Sequence, residues 1–148
     1  MDQQVKISFA LERDPDDWPP FQVETLWADL APSDGHYVID SAPFFSRAAT
    51  IGDVVEATAE GADLRFVRLI RTSGHSLIRV IVRELASLET LAKWVREMGC
   101  YTEGFANFKL LAIDVPLDVK LCEVQRFLRE ENERGTLDYE EAILRQDE

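Results

Sequence analysis

Cysteine, histidine and glycine are scarce in this chain: two, two and seven among 148 residues. Two cysteines cannot build a disulfide framework, and Cys100 and Cys122 do not form a Cys-x-x-Cys pair. The histidines, His36 and His75, lie far from both in sequence, so no zinc-ligand spacing is present. No metal and no cofactor is expected. The glycines form neither a Gly-x-Gly-x-x-Gly nor a Gly-x-x-x-x-Gly-Lys motif, which removes the two common phosphate cradles. No Gly-x-Ser-x-Gly elbow is present to raise a nucleophilic serine. No apolar run approaches the ~18 residues that a membrane helix needs. The start, Met1-Asp2-Gln3-Gln4, lacks the basic and apolar regions of a secretory leader. The expectation is a cytoplasmic protein with no membrane segment and two partly buried free thiols.

Positive charge is also short. Sixteen lysines and arginines face 28 aspartates and glutamates, for a net charge of −12. That balance argues against nucleic acid, whose binding needs basic surface to displace counterions. It argues equally against anionic membranes. It suits a strongly basic protein partner, or solubility alone.

What is present is enough for a core. Apolar residues make up 46% of the chain, and a chain of this size buries roughly two thirds of its unfolded surface. The charges are unevenly placed. Residues 1–35 carry eight acids and two bases, a net of −6. Residues 61–83 carry Asp63 against Arg65, Arg68, Arg71, Arg79 and Arg83, a net of +4. Residues 116–148 carry ten acids and five bases, a net of −5.

The periodicity predicts an α+β protein. Val5, Ile7, Phe9 and Leu11 alternate with small or polar residues, which predicts a strand. Residues 12–20 hold three prolines and three aspartates, which predict a loop. Further strands are expected over 21–30, with Val23, Thr25 and Trp27 on one face, and over 36–40, 52–59 and 64–71. Together they predict a small antiparallel barrel or sandwich over residues 1–74. Residues 75–148 predict a ferredoxin-like β-α-β-β-α unit, packed with the first as one compact body. Its strands are expected over 76–83, 100–106 and 108–115. Its helices are expected to start at Ser87 and Asp118 as caps and to stop at Gly99 and Gly135. The tail over 137–144 fits either a strand or a short helix.

The most unusual stretch is Arg71-Thr72-Ser73-Gly74-His75-Ser76-Leu77-Ile78-Arg79. Its flanks suggest a hairpin centred near His75, with Arg71 opposite Arg79 and Val67 opposite Arg83. Such a face would gather arginines, and like charges opposed in a sheet need a counterion. Carboxylates of the same chain could supply it, or a bound anion could, since a guanidinium binds two oxygens at once. Arg71, Ser73, His75, Ser76, Arg79 and Arg83 are therefore the anion or ligand candidates. His75 among hydroxyls could act as a base, but a carboxylate behind it is not visible in the sequence. Its structural alternative is a turn in which the imidazole and serines satisfy backbone groups. Asp14, Asp16, Asp17 and Trp18 share one loop, spaced like the start of a calcium site but without its glycine and closing glutamate. An acidic loop bearing a tryptophan is a candidate contact site, since interface anchors favour tryptophan. Glu130, Glu131 and Glu133 form a second acidic candidate. Phe44 and Phe45 fit core packing or a flat surface for a ligand.

Five segments carry a resemblance that spans about residues 5–144. They are Val5-Lys6-Ile7-Ser8-Phe9, Glu24-Thr25-Leu26-Trp27-Ala28, Asp40-Ser41-Ala42-Pro43-Phe44-Phe45, Ile51-Gly52-Asp53-Val54-Val55 and Ser73-Gly74-His75-Ser76-Leu77-Ile78-Arg79-Val80. In this order they resemble a bacterial family of small acidic proteins known as a domain of unknown function. The resemblance brings no activity, cofactor or catalytic residue. By analogy of class alone, families of this kind often include immunity proteins of bacterial toxin systems.

The expected function is non-catalytic: an immunity or inhibitor protein that neutralises a basic, toxin-like protein through electrostatically steered binding. The rival expectation is a small enzyme or ligand-binding domain acting on an anionic substrate through His75 and the arginine face. A third is single-stranded nucleic acid on the arginine hairpin, with Phe44 or Phe45 stacking on bases.

Overall fold

The structure is a computed structural model in which residues 4–146 are described. The start of the stretch read for a leader, residues 1–3, and the last two residues of the tail lie outside them. The chain is mixed α+β, mostly sheet with two helices, and divides into two units between Ser73 and Gly74.

The first unit holds five strands: β1 (Gln4–Ala10), β2 (Val23–Leu30), β3 (His36–Ile39), β4 (Val54–Glu60) and β5 (Asp63–Arg71). They pair in chain order as antiparallel neighbours. Alternation decides which side chains turn inward. Ile7 and Phe9 of β1, Leu26 and Ala28 of β2, Ile39 of β3, and Val55 and Ala57 of β4 form one buried cluster. Phe66 of β5 packs onto it, its ring stacked 4.6 Å from that of Phe9. The expected face of Val23, Thr25 and Trp27 is the outer one, and all three are exposed. β1 also meets β5 in parallel, through the pairs Ile7↔Leu64 and Ser8↔Arg65. That seam is two pairs long against seven for β1 and β2, so the sheet returns on itself without being a full barrel.

The second unit runs β6 (Ser76–Val82), α1 (Ser87–Glu97), β7 (Tyr101–Phe105), β8 (Leu110–Val115), α2 (Leu121–Glu133) and β9 (Leu137–Ile143). The sheet order is β7-β8-β6-β9, antiparallel throughout. The undecided tail is thus a strand, which adds its ladder to β6. Ile78, Val80 and Val82 of β6 join Leu111, Ile113 and Val115 of β8 beneath Leu91, Ala92 and Val95 of α1. Leu121, Val124 and Leu128 of α2 complete that cluster. Burying each such side chain contributes roughly 1.5–3 kcal/mol, which is what turns these stripes toward the sheet.

Three local expectations need correction. Ser87 is the first helical residue and no cap: the cap position is Ala86, with no side-chain hydrogen bond. Asp118 does not cap α2, which begins three residues later behind Lys120. The hairpin centred on His75 does not form. Arg71 of β5 pairs with Val54, whereas Arg79 of β6 lies between Ala112 and Glu140 in the other sheet.

Candidate functional site

The loop between β1 and β2 is built by one carboxylate. Asp14 Oδ1 accepts the backbone N–H groups of Asp16 at 2.8 Å and Trp18 at 3.0 Å. The Arg13 guanidinium donates to the carbonyls of Pro19 and Asp17 at 3.0 and 3.2 Å, closing the loop from the other side. Trp18 and Phe21 emerge from it 41% and 40% exposed. Phe45 joins them: its ring centroid lies 5.7 Å from that of Trp18 and 5.6 Å from that of Phe21. Phe45 is held by Glu24 on β2. The Glu24 carboxylate accepts three successive N–H groups, from Phe44 at 2.6 Å, Phe45 at 3.1 Å and Ser46 at 2.8 Å. A carboxylate that satisfies three backbone donors fixes their conformation without help from a helix or ladder. Beside this cluster a cavity of about 400 Å³ runs between Leu11 and Glu12 on one side and Phe45, Ser46 and Arg47 on the other.

A second concentration of chemistry lies in the second unit. His75 Nδ1 sits 3.0 and 2.9 Å from the two oxygens of Asp114. Asp114 is 2% exposed, on β8 between its partners Leu77 and Tyr101. The histidine thus has the orienting carboxylate that sequence reasoning did not find. A signal was available: Asp114 is the one charge within the apolar run of residues 110–115. Burial, with the Asp114 carboxylate adding to it, pushes the Cys100 thiol from 9.0 up to about 12. A thiol that stays protonated to that pH is a poor nucleophile. Cys122, on α2, is free and exposed.

The two serines of the turn serve the backbone across long sequence distances. Ser73 N–H donates to Asp53 Oδ1 at 2.9 Å, and its hydroxyl donates to the Ile51 carbonyl at 2.8 Å. Asp53 is fully buried and takes a second N–H from Thr50. Ser76 is fully buried, and its Oγ accepts the N–H of Arg145 at 3.0 Å.

Four of the five arginines in residues 61–83 are met by carboxylates of the same chain. Arg65 pairs with Glu60 at 2.9 Å, and Arg68 with Glu56 at 2.6 Å. Arg79, 3% exposed, pairs with Glu140 at 2.8 Å, and Arg83 with Asp138 at 3.2 Å. Arg71 is exposed at the end of β5. Arg71 and Arg79 stand in different sheets and are not cross-strand partners. In the second acidic candidate, Glu130 and Glu133 are exposed on α2. Glu131 is 8% exposed and turned inward, where it accepts from Arg134 at 2.6 Å and from the Thr136 hydroxyl at 3.0 Å. It fastens the helix end to β9 and is not a contact residue. Among the described residues no three His, Cys, Asp or Glu side chains converge as metal ligands would. Nor is any described helix long and apolar enough to cross a membrane.

Comparison with known proteins bears on the fold. The family model called "Domain of unknown function (DUF4265)" matches residues 24–139. No curated protein matches the sequence. A crystal structure described as a hypothetical protein from Neisseria gonorrhoeae is similar over 98% of both chains, with a TM-score of 0.76 at 21% identity. At that identity the likeness concerns the fold alone.

Proposed function

This chain belongs to the DUF4265 family, a domain of unknown function, and from its own surface we propose that it is a non-catalytic protein-binding protein. It is an immunity or inhibitor protein that meets a basic, toxin-like partner. The carrying observation is the half-exposed Trp18 and Phe21, set on Phe45 within the acidic stretch of Asp14, Asp16 and Asp17. Half-exposed aromatics with fixed geometry are the usual anchors of an interface. Carboxylates around them raise the encounter rate with a cationic partner. The two free cysteines fit a reducing compartment such as the cytoplasm. The element order of the second unit and its strand order β7-β8-β6-β9 support a ferredoxin-like reading of that unit.

The test measures association of the chain with a panel of basic toxin domains, by stopped flow. Association slows steeply as salt rises, while dissociation changes little. Trp18→Ala raises the dissociation rate at least tenfold, the consequence of removing an anchor worth about 2 kcal/mol. An association rate indifferent to salt, or a Trp18→Ala variant that binds like the parent, sinks the proposal.

A second reading rests on His75 and Asp114. A carboxylate on Nδ1 fixes the orientation of an imidazole, the arrangement of a general base. It would serve a small enzyme or a site for an anionic substrate. The arginine pairs with Glu140 and Asp138 count against the anionic part. Titration of inorganic phosphate, followed through the His75 ring protons, decides it: no movement removes this reading.

A further inference from the structure

Phe45 belongs to two features at once. Its ring packs on Trp18 and Phe21, and it also lines the cavity of about 400 Å³ beside Leu11 and Glu12. The aromatic cluster and the cavity are therefore one continuous surface of the first unit. From this we infer that the surface is a docking site for an arginine-bearing segment of a basic partner, one apolar side chain entering the cavity and a guanidinium lying on Trp18. The inference rests on the protein-binding reading above and names the chemistry of its partner.

Charge selects the occupant. Glu12 lines the cavity with Arg47, and Asp14, Asp16 and Asp17 share the Trp18 loop with Arg13. Arg13 is already engaged with the Asp17 and Pro19 carbonyls and stands 3.9 Å from the Asp17 carboxylate. A guanidinium gains from the face of an indole and from a nearby carboxylate together, whereas an ammonium, being more strongly hydrated, gains less from the ring. A second copy of this chain would bring another charge of −12 to the same place, which opposes self-association. Preorganisation favours binding: Glu24 holds Phe45 by three N–H groups, and Asp14 holds Trp18, before any partner arrives.

The experiment titrates two capped synthetic peptides into the isotope-labelled full chain and follows backbone and indole resonances. One alternates arginine with phenylalanine, and the other alternates glutamate with phenylalanine. The arginine peptide shifts the amides of Glu12, Phe45, Ser46 and Ala48 and the Trp18 indole, and the glutamate peptide shifts nothing. The response weakens at least threefold between about 50 and about 250 mM NaCl. Asp16→Lys and Glu12→Lys change exposed side chains, leave the spectrum of the fold intact and weaken the arginine peptide at least threefold. Shifts centred on Glu130 and Glu133 overturn this surface while leaving protein binding in place. No shift anywhere at low salt overturns both. Equal binding of the two peptides overturns the charge selection.

Discussion

Asp114 is a carboxylate held almost out of reach of water. A carboxylate 2% exposed is costly to hold in low dielectric, and the imidazole of His75 is the compensation that lies in plain view. Asp114→Asn keeps the shape and removes the charge. It should lower the unfolding free energy of the whole chain by about 1 kcal/mol in urea, and His75→Ala, which leaves the buried carboxylate without its imidazole, by about 3 kcal/mol. An unchanged midpoint for Asp114→Asn would mean that the pair contributes nothing. The neighbouring thiol responds to pH with a sign of its own. Cys100 keeps its proton to about 12 in the folded chain, against 9.0 ordinarily. Between those values the folded state holds more protons than the unfolded one, so stability present below pH 9 is lost as pH rises, by up to about 1.4 kcal/mol per pH unit. Cys100→Ala removes that slope. In the native protein a maleimide should modify Cys122 at once, and Cys100 only after unfolding. Modification of both at one rate would contradict the burial of Cys100. The imidazole was recognisable in the sequence as a candidate, yet its partner was not, because Asp114 lies 39 residues away and only strand pairing brings it near.

At the scale of elements, local chemistry was legible and long-range pairing was not. Alternation placed β1 through Ile7 and Phe9, and the spacing of Leu91, Ala92 and Val95 placed α1. The false hairpin came from treating two flanking strands as each other's partners. The segment Ser76–Val82 has the near-continuous apolar character of a strand with neighbours on both sides, and it sits between β8 and β9. The helix starts were misplaced because Ser87 and Asp118 have capping side chains that the backbone does not use. The turn before β4 shows how tightly the first unit is closed. Gly52 has φ +84°, and an added Cβ would stand 2.8 Å from Ser73 Cβ, whereas at Gly61 nothing lies within 4 Å. Both substitutions to alanine strain the backbone, by about 1 kcal/mol. Gly52→Ala should cost at least about 1 kcal/mol more, because Ser73 is fastened by Asp53 and cannot yield. Equal melting temperatures for the two variants would refute this.

For the whole molecule, charge is the property that the sequence states directly, and strand connectivity is the property it withholds. Sixteen bases against 28 acids set a sequence pI of about 4.6. Solubility should pass through a minimum near that pH and recover on either side, as turbidity against pH will show. A minimum above pH 6 would mean that the folded charges are compensated in a way their number does not suggest. The docking site was half legible: Asp14, Asp16, Asp17 and Trp18 were nameable, and Phe45 was so as a core or surface aromatic, but Phe21 and Glu24 became part of it only through tertiary contact. The short parallel seam of the first sheet has a further consequence. Because β1 and β5 meet there, the two strands that would otherwise end the ladder cover part of each other's edge against a stray chain. In the second sheet β9 is an end strand, and it carries Asp138, Glu140 and Glu141 along its length. Charged side chains on an end strand oppose fibrous stacking, so Glu141→Gln, which leaves the Arg79–Glu140 and Arg83–Asp138 pairs in place, should raise amyloid-dye-positive growth without lowering the melting temperature.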